Sequence, residues 1–261
     1  MYIDTHCHLN FPQYDADRAM VIGNAKKAGV KQFINPGVDI YSSKQAIELA
    51  RKHPGVIFAA VGIHPYEAQH DPEVVELERL LTGVVAIGEC GLDYHQYKGE
   101  QALGKKDKQK RLFAEQVEIA IKHTLPVIFH CRDGFDDFFD VLDSVAKPTQ
   151  GVYPEALRGV IHCFSGGLQE VRQAQKRGFF VGLDGNITYS KHLQTIIPQI
   201  PLSMILLETD APYLTPVPHR GVRNEPKYIP IIAKEIAKLF GVSVKDVEEE
   251  TTANARSLFG I

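Results

Sequence analysis

The chain has 261 residues, 44% of them hydrophobic, and a formal net charge of −3. That length buries enough surface to need no disulfide staple, and the charge argues against a globally basic nucleic-acid binder while leaving room for a local basic patch. The four cysteines, Cys7, Cys90, Cys131 and Cys163, are far apart with no CxxC pair, and no run reaches the roughly 18 apolar residues of a membrane span. With no basic-plus-apolar leader at the start, the expectation is a cytoplasmic chain with reduced thiols.

Short β-type runs alternate with helix-type runs throughout. Strands are expected at residues 2–6, 31–36, 56–64 and 84–89, then at 126–130, 159–164, 179–184 and 204–210. Between the fourth and fifth, Phe113, Val117, Ala120 and Ile121 form a helical stripe; between the fifth and sixth, Phe135, Phe138, Phe139, Leu142 and Val145 form another. After the eighth strand, Pro212, Pro216, Pro218 and Pro226 stiffen a long loop. It leads to a stripe of Ile229, Ile232, Ala233, Ile236, Ala237 and Phe240, and a last helix starts at Ser243 with Asp246 as its capping partner. Eight βα units in this length predict an α/β fold: a single (β/α)8 TIM barrel over residues 1–261 with slightly elaborated loops, an open doubly wound sheet being the alternative. No GxGxxG or P-loop pattern supports a nucleotide fold.

The potential metal ligands fall where such a barrel collects its chemistry. His6 and His8 are expected to end the first strand, Glu89 the fourth, His130 the fifth, His162 the sixth and Asp210 the eighth. The C-terminal strand ends of a (β/α)8 barrel meet at one mouth. Six imidazole and carboxylate groups exceed what one tetrahedral ion needs, so two divalent cations (Mg, Mn or Zn) with a bridging Glu89 explain the count. His6 and His8 share a strand face and can address one ion. Asp4 and Glu208 lie one layer deeper, where they are expected to orient ligands from behind. Asp210 suits the general base beside metal-bound water. Each cysteine directly follows a ligand, so alternation predicts that all four point outward as packing residues beneath the helices.

Seven segments together carry a family resemblance. They are Asp4-Thr-His-Cys-His8, Val61-Gly-Ile-His64-Pro-Tyr-Glu-Ala68, Ile87-Gly-Glu89-Cys-Gly-Leu-Asp-Tyr94, Val127-Ile-Phe-His130-Cys-Arg132-Asp133, Ile161-His162-Cys-Phe-Ser-Gly166, Leu207-Glu-Thr-Asp210-Ala-Pro-Tyr-Leu214 and Pro218-His-Arg-Gly-Val-Arg-Asn224-Glu-Pro226. In this order, from residue 2 to about 259, the chain resembles the TatD-type metal-dependent deoxyribonucleases, amidohydrolase-like metal-dependent hydrolases. The resemblance implies one metal on His6, His8, Glu89 and Asp210 and a second on Glu89, His130 and His162. It makes His64, Arg132 and the loop from His219 through Arg223 to Asn224 phosphate-facing, and it implies DNA phosphodiester hydrolysis with exonuclease character. The loop after Tyr94 and the turn at residues 149–154 are longer than in typical members, which bears on substrate access.

Guanidinium forks on Arg132, Arg220 and Arg223 suit phosphate. A basic segment, Lys98, Lys105, Lys106, Lys108, Lys110 and Arg111 against Glu100 and Asp107, is expected as a positive rim over the mouth or, equally open, as a solvated helix start. Two other functions use the same residues. One is an esterase or amidase, such as a deacylase of aminoacyl-tRNA esters; the other is a non-catalytic metal- or nucleic-acid-binding barrel. Amidohydrolases of the cyclic-amide kind often bridge their metals with a modified lysine on the fourth strand, where this chain has Glu89, which favours the phosphodiesterase. The expected partner is DNA, with no membrane and no protein partner inferable.

Overall fold

Runs whose two faces are both apolar can only be buried on both sides, which is the pattern of a parallel sheet covered by helices. The structure, a computed structural model describing residues 1–95, 106–149 and 152–261, has that arrangement. In chain order the elements are β1 (Tyr2–Asp4), α1 (Arg18–Lys27), β2 (Val30–Pro36), α2 (Ile40–Lys52), β3 (Ile57–Val61), α3 (Val75–Glu78), β4 (Ala86–Asp93), α4 (Lys106–His123), β5 (Val127–Arg132), α5 (Phe135–Ala146), β6 (Gly159–Ile161), α6 (Leu168–Lys176), β7 (Phe180–Leu183), α7 (Lys191–Ile196), β8 (Ile205–Leu207), α8 (Ile229–Phe240) and α9 (Val244–Phe259). The strands pair in sequential order, all in parallel. Between β1 and β8 the circle is drawn together by Thr5 N–H donating to Leu207 (3.0 Å), Asp210 N–H to His6 (2.9 Å) and His8 N–H to Ala211 (2.8 Å). It is a (β/α)8 barrel, as the alternation of runs predicts.

Two cores follow from the period of two along each strand. Ile3, Ile34, Ala60, Ala86, Ile128, Val160 and Leu206 pack together inside the barrel with Ala255, Leu258 and Phe259 of α9. Their strand neighbours, Phe33, Ile57, Ile87, Phe129, Ile161 and Ile205 among them, belong to the larger core with the surrounding helices. There Phe113 of α4 stacks on Phe138 of α5 at 5.2 Å, and Phe129 of β5 meets Phe138 edge-on at 5.4 Å. The last helix starts as its sequence predicts: Ser243 caps the Asp246 N–H, and the Asp246 carboxylate takes the Ser243 N–H in return. Helix α9 thereby covers the N-terminal end of the barrel, where Asn254 Nδ2 donates to Ile205 and Thr252 Oγ1 to Met1.

Strand bounds differ from expectation where the chain turns early. The third strand stops at Val61 because Pro65 opens a 3-10 turn, whose start His64 caps by accepting the Tyr66 N–H on Nδ1 (3.2 Å). The sixth stops at Ile161 and the eighth at Leu207, since Cys163 (φ 46°) and Asp210 (φ 52°) are left-handed. The fourth runs on to Asp93, so Glu89 lies inside it and not at its end. Among the described residues no helix is long and apolar enough to cross a membrane.

Candidate metal centre

Glu89 reaches the barrel interior through an irregularity in β4. Strict alternation from Ala86, which faces inward, would turn Glu89 toward the helices. Ile87 pairs with Val127 but Cys90 pairs with Phe129, so β4 uses three steps where β5 uses two. The extra residue is a β-bulge, which inverts the facing of everything after it. Cys90 and Leu92 then enter the outer core, and Glu89 and Asp93 turn to the mouth. Glycine makes this possible: Gly88 has φ +144°, and at Gly91 (φ +150°) a Cβ would sit 1.9 Å from the His130 carbonyl oxygen.

The two oxygens of Glu89 address two groups of side chains. Oε2 lies 3.3 Å from Nε2 of His6 and 3.6 Å from Nε2 of His8. Those two nitrogens are 3.2 Å apart, and Asp210 Oδ1 is 3.7 Å from the first and 3.6 Å from the second. Oε1 lies 2.8 Å from both His130 Nδ1 and His162 Nε2, which are 3.1 Å from each other, with His64 Nε2 at 3.6 Å. A tetrahedral ion with bonds of about 2.1 Å spaces its ligand atoms by roughly 3.4 Å. The first group is spaced that way, and its nitrogen and carboxylate donors suit a divalent cation. The second is drawn in to hydrogen-bonding distance around the same carboxylate. Both donor sets fit the cations expected from sequence.

The charges follow from burial set against neighbours. Burial acts to raise the Glu89 carboxyl, but the His162 charge and hydrogen bonds from His130, His162 and His6 hold it well below the usual carboxylate range. Burial is likewise outweighed at Asp210, by a hydrogen bond from His8 and the nearby imidazoles, so that carboxyl is lowered too. Burial and the neighbouring His162 push His6 down to about 4, and burial with His130 pushes His64 down to about 3. His130 goes the other way: burial opposes its charge, yet hydrogen bonds to Asp93 and Glu89 carry it to about 9.

Asp93 is a residue the sequence reading passed over. Its Oδ2 binds Nε2 of His130 at 3.0 Å and so fixes which ring nitrogen faces Glu89. A carboxylate behind a ligand histidine commonly does this in metal sites. Its signal was available in the same-face spacing Glu89, Gly91, Asp93. Asp184, after β7, is fully buried and also went unassigned; burial raises its carboxyl to about 7, and its Oδ1 accepts the Asn186 N–H at 2.6 Å.

Several expected roles change. Asp4 does not touch a ligand imidazole: it accepts from Thr209 Oγ1 (2.7 Å), Thr209 N–H (3.0 Å) and His6 N–H (3.3 Å), and so pins the backbone on either side of the closure. Glu208 does lie behind the ligands, 3.8 Å from His162 Nδ1, and accepts the Cys163 N–H through the same oxygen. Cys7, Cys90 and Cys131 pack in the outer core as alternation predicts, Cys131 also bordering the mouth. Cys163 does not, because the chain has left β6 and taken a left-handed turn; it lines the mouth.

The mouth is a cavity of about 670 Å³ lined by His8, His64, Glu89, Asp93, His130, Arg132, His162 and Asp210, with Phe11, Tyr66, Asn186 and Tyr213 around them. His219 and Arg223 are not in that lining. His219 stacks on Tyr228 at 4.6 Å, and the Arg223 fork is bound to Asp17 at 2.7 and 3.0 Å with its face over Tyr14. Arg220 lies over the ring of Tyr189 at 3.8 Å. Of the basic segment, Lys98, Glu100 and Lys105 fall outside the described residues. Lys108 and Arg111 pair with Asp71, Lys110 with Asp107 and Asp137, and Lys106 covers the Tyr94 ring. The expected turn at 149–154 is described in part, Thr149 bridging to Val152.

Comparison with known proteins agrees across the whole chain. The family model for TatD related DNase matches residues 3–260. An uncharacterized metal-dependent hydrolase, YabD, of Bacillus subtilis is 37% identical over 100% of both chains. The 3′-5′ ssDNA/RNA exonuclease TatD of Cronobacter sakazakii is 36% identical over 98% of this chain and 97% of its own. Among solved structures, the TatD homologue YJJV of Escherichia coli superposes with a TM-score of 0.83 at 29% identity, covering 100% of this chain and 98% of that one.

Proposed function

The chain belongs to the family of TatD-related DNases, metal-dependent hydrolases of DNA, and from that premise we propose that it is an exonuclease that removes nucleotides from the 3′ ends of single-stranded DNA. The observation that carries this reading is the division of Glu89, one oxygen toward His6 and His8 and the other toward His130 and His162. His6, His8, Glu89 and Asp210 would hold one divalent cation and Glu89, His130 and His162 a second, which would supply Lewis acidity for lowering the pKa of water and polarising a phosphoryl oxygen.

The chain's own residues do the rest. Asp210 is ionised, borders the cavity and receives the proton of the attacking water on its carboxylate. His64 and Arg132 face the same space and orient the phosphate, the planar guanidinium by paired hydrogen bonds to its oxygens. His130 keeps one ring nitrogen toward Glu89 because Asp93 holds the other. His6, His8, Glu89 and His162 are almost fully buried, and the lower local dielectric strengthens their charge interactions.

The test is turnover of single-stranded oligonucleotides labelled at either end, with Mg, Mn or Zn supplied and then chelated. A 3′ label is expected to leave at once as a short product while a 5′ label shortens stepwise, only with metal, and Asp210→Asn is expected to slow both by about 100-fold or more while keeping the far-ultraviolet circular dichroism of the wild type. Release of the 5′ label first, or cleavage that survives chelation, contradicts the proposal.

A further inference from the structure

Of the large apolar side chains left exposed among the described residues, Tyr213 is the one that lines the catalytic cavity. It is 51% exposed, yet its backbone is tied on both sides. Its N–H donates to the Asp210 carbonyl at 2.8 Å, and its own carbonyl accepts from Asn224 Nδ2, a fully buried amide whose second bond goes to Thr209 at 2.8 Å. An aromatic ring thus lines the mouth half-exposed, one tight turn from a ligand carboxylate, on a backbone that these bonds fix. Tyr189, another exposed aromatic ring, is by contrast paired with a cation, Arg220 at 3.8 Å.

We infer that Tyr213 is the platform on which the base of the terminal nucleotide stacks, making the enzyme select unpaired ends. The inference rests on the exonuclease reading above. Base–aromatic stacking is indifferent to sequence because every base has a π-face, and it requires that the base be free of its partner strand. A base in a duplex end already stacks on its neighbour and pairs across, so presenting it to Tyr213 means breaking both interactions. With the phosphate drawn to His64 and Arg132, the terminal base has an apolar face within reach on the β8 side of the mouth. Tyr213 acts through binding and not on the reacting atoms.

The test compares oligonucleotides that carry either a normal or an abasic 3′-terminal nucleotide, in wild type, Tyr213→Ala and Tyr213→Phe. Wild type is expected to prefer the base-bearing end by about 5- to 100-fold in kcat/KM, mostly through KM. Tyr213→Ala should reduce that ratio to near one, and Tyr213→Phe should retain it. With metal chelated, an oligonucleotide ending in 2-aminopurine should lose fluorescence on binding wild type and Tyr213→Phe but not Tyr213→Ala. A wild-type ratio near one, or a ratio unaltered in Tyr213→Ala, overturns the role of Tyr213 while leaving the nuclease intact. Absence of any metal-dependent cleavage by wild type instead removes the reading beneath it.

Discussion

Oε1 of Glu89 lies 2.8 Å from Nδ1 of His130, and the far nitrogen of the same ring is 3.0 Å from Asp93. One imidazole is thus held between two carboxylates, only one of which also faces the His6 and His8 pair. Separate consequences follow for metal affinity, for pH and for catalysis.

Asp93→Asn removes the charge behind His130 without emptying space. Loss of such a supporting partner weakens metal binding by about 10- to 100-fold. Titration of the metal-free protein with manganese or zinc should show one class of site weakened by that factor, and activity should recover at raised metal concentration. Unaltered metal dependence would remove Asp93 from the account.

The proton on His130 sets a pH dependence. Burial opposes its charge, but the hydrogen bonds to Asp93 and Glu89 raise its pKa from 6.5 to about 9 in the metal-free protein. A ligand imidazole must be neutral, so metal uptake below about pH 9 displaces this proton. Affinity at that site should rise about tenfold per pH unit from roughly 7 to 9 and then level off. Calorimetry in buffers of different ionisation enthalpy should register about one proton released at pH 7.5, and less in Asp93→Asn. For the metal-free fold the sign is the usual one for a raised histidine: the stabilisation is complete below about 6.5 and is lost as pH climbs through 9.

Asp210→Asn keeps size and most of the backbone contacts while removing the proton acceptor. General-base groups contribute about 10²- to 10⁴-fold. The variant should lose that much in kcat on oligonucleotides, with little change in binding of a chelator-treated, labelled strand.

Phe259 of α9 plugs the barrel end opposite the mouth. Truncation to alanine should cost about 3 kcal/mol in urea unfolding by leaving a cavity in the inner core. Cleavage by the folded variant should persist, because Phe259 packs with the inner core and is not among the residues that line the mouth.

Much of the barrel was legible because its signals are local. Runs apolar on both faces, the stripes on α4, α5 and α8, and the Ser243 cap need only neighbouring residues. The ligand positions were legible because a parallel barrel gathers its strand ends. What escaped depends on the chain departing from a regular strand. The bulge that turns Glu89 inward is announced only by Gly88 and Gly91, and Cys163 broke alternation because β6 had already ended. The engagement of Arg223 with Asp17 joins residues 206 positions apart, which no short-range pattern reports. Asp93 was hidden by the assumption that the fourth strand stops at Glu89, four residues too soon.

The most direct test of the central claim is an anomalous-difference map from crystals grown with manganese. Two peaks about 3.5–4 Å apart are predicted, one among His6, His8 and Asp210, the other between His130 and His162, with a different Glu89 oxygen bound to each. A map in which manganese binds away from Glu89, or in which Glu89 contacts a single ion with both oxygens while His130 and His162 hold none, contradicts the account.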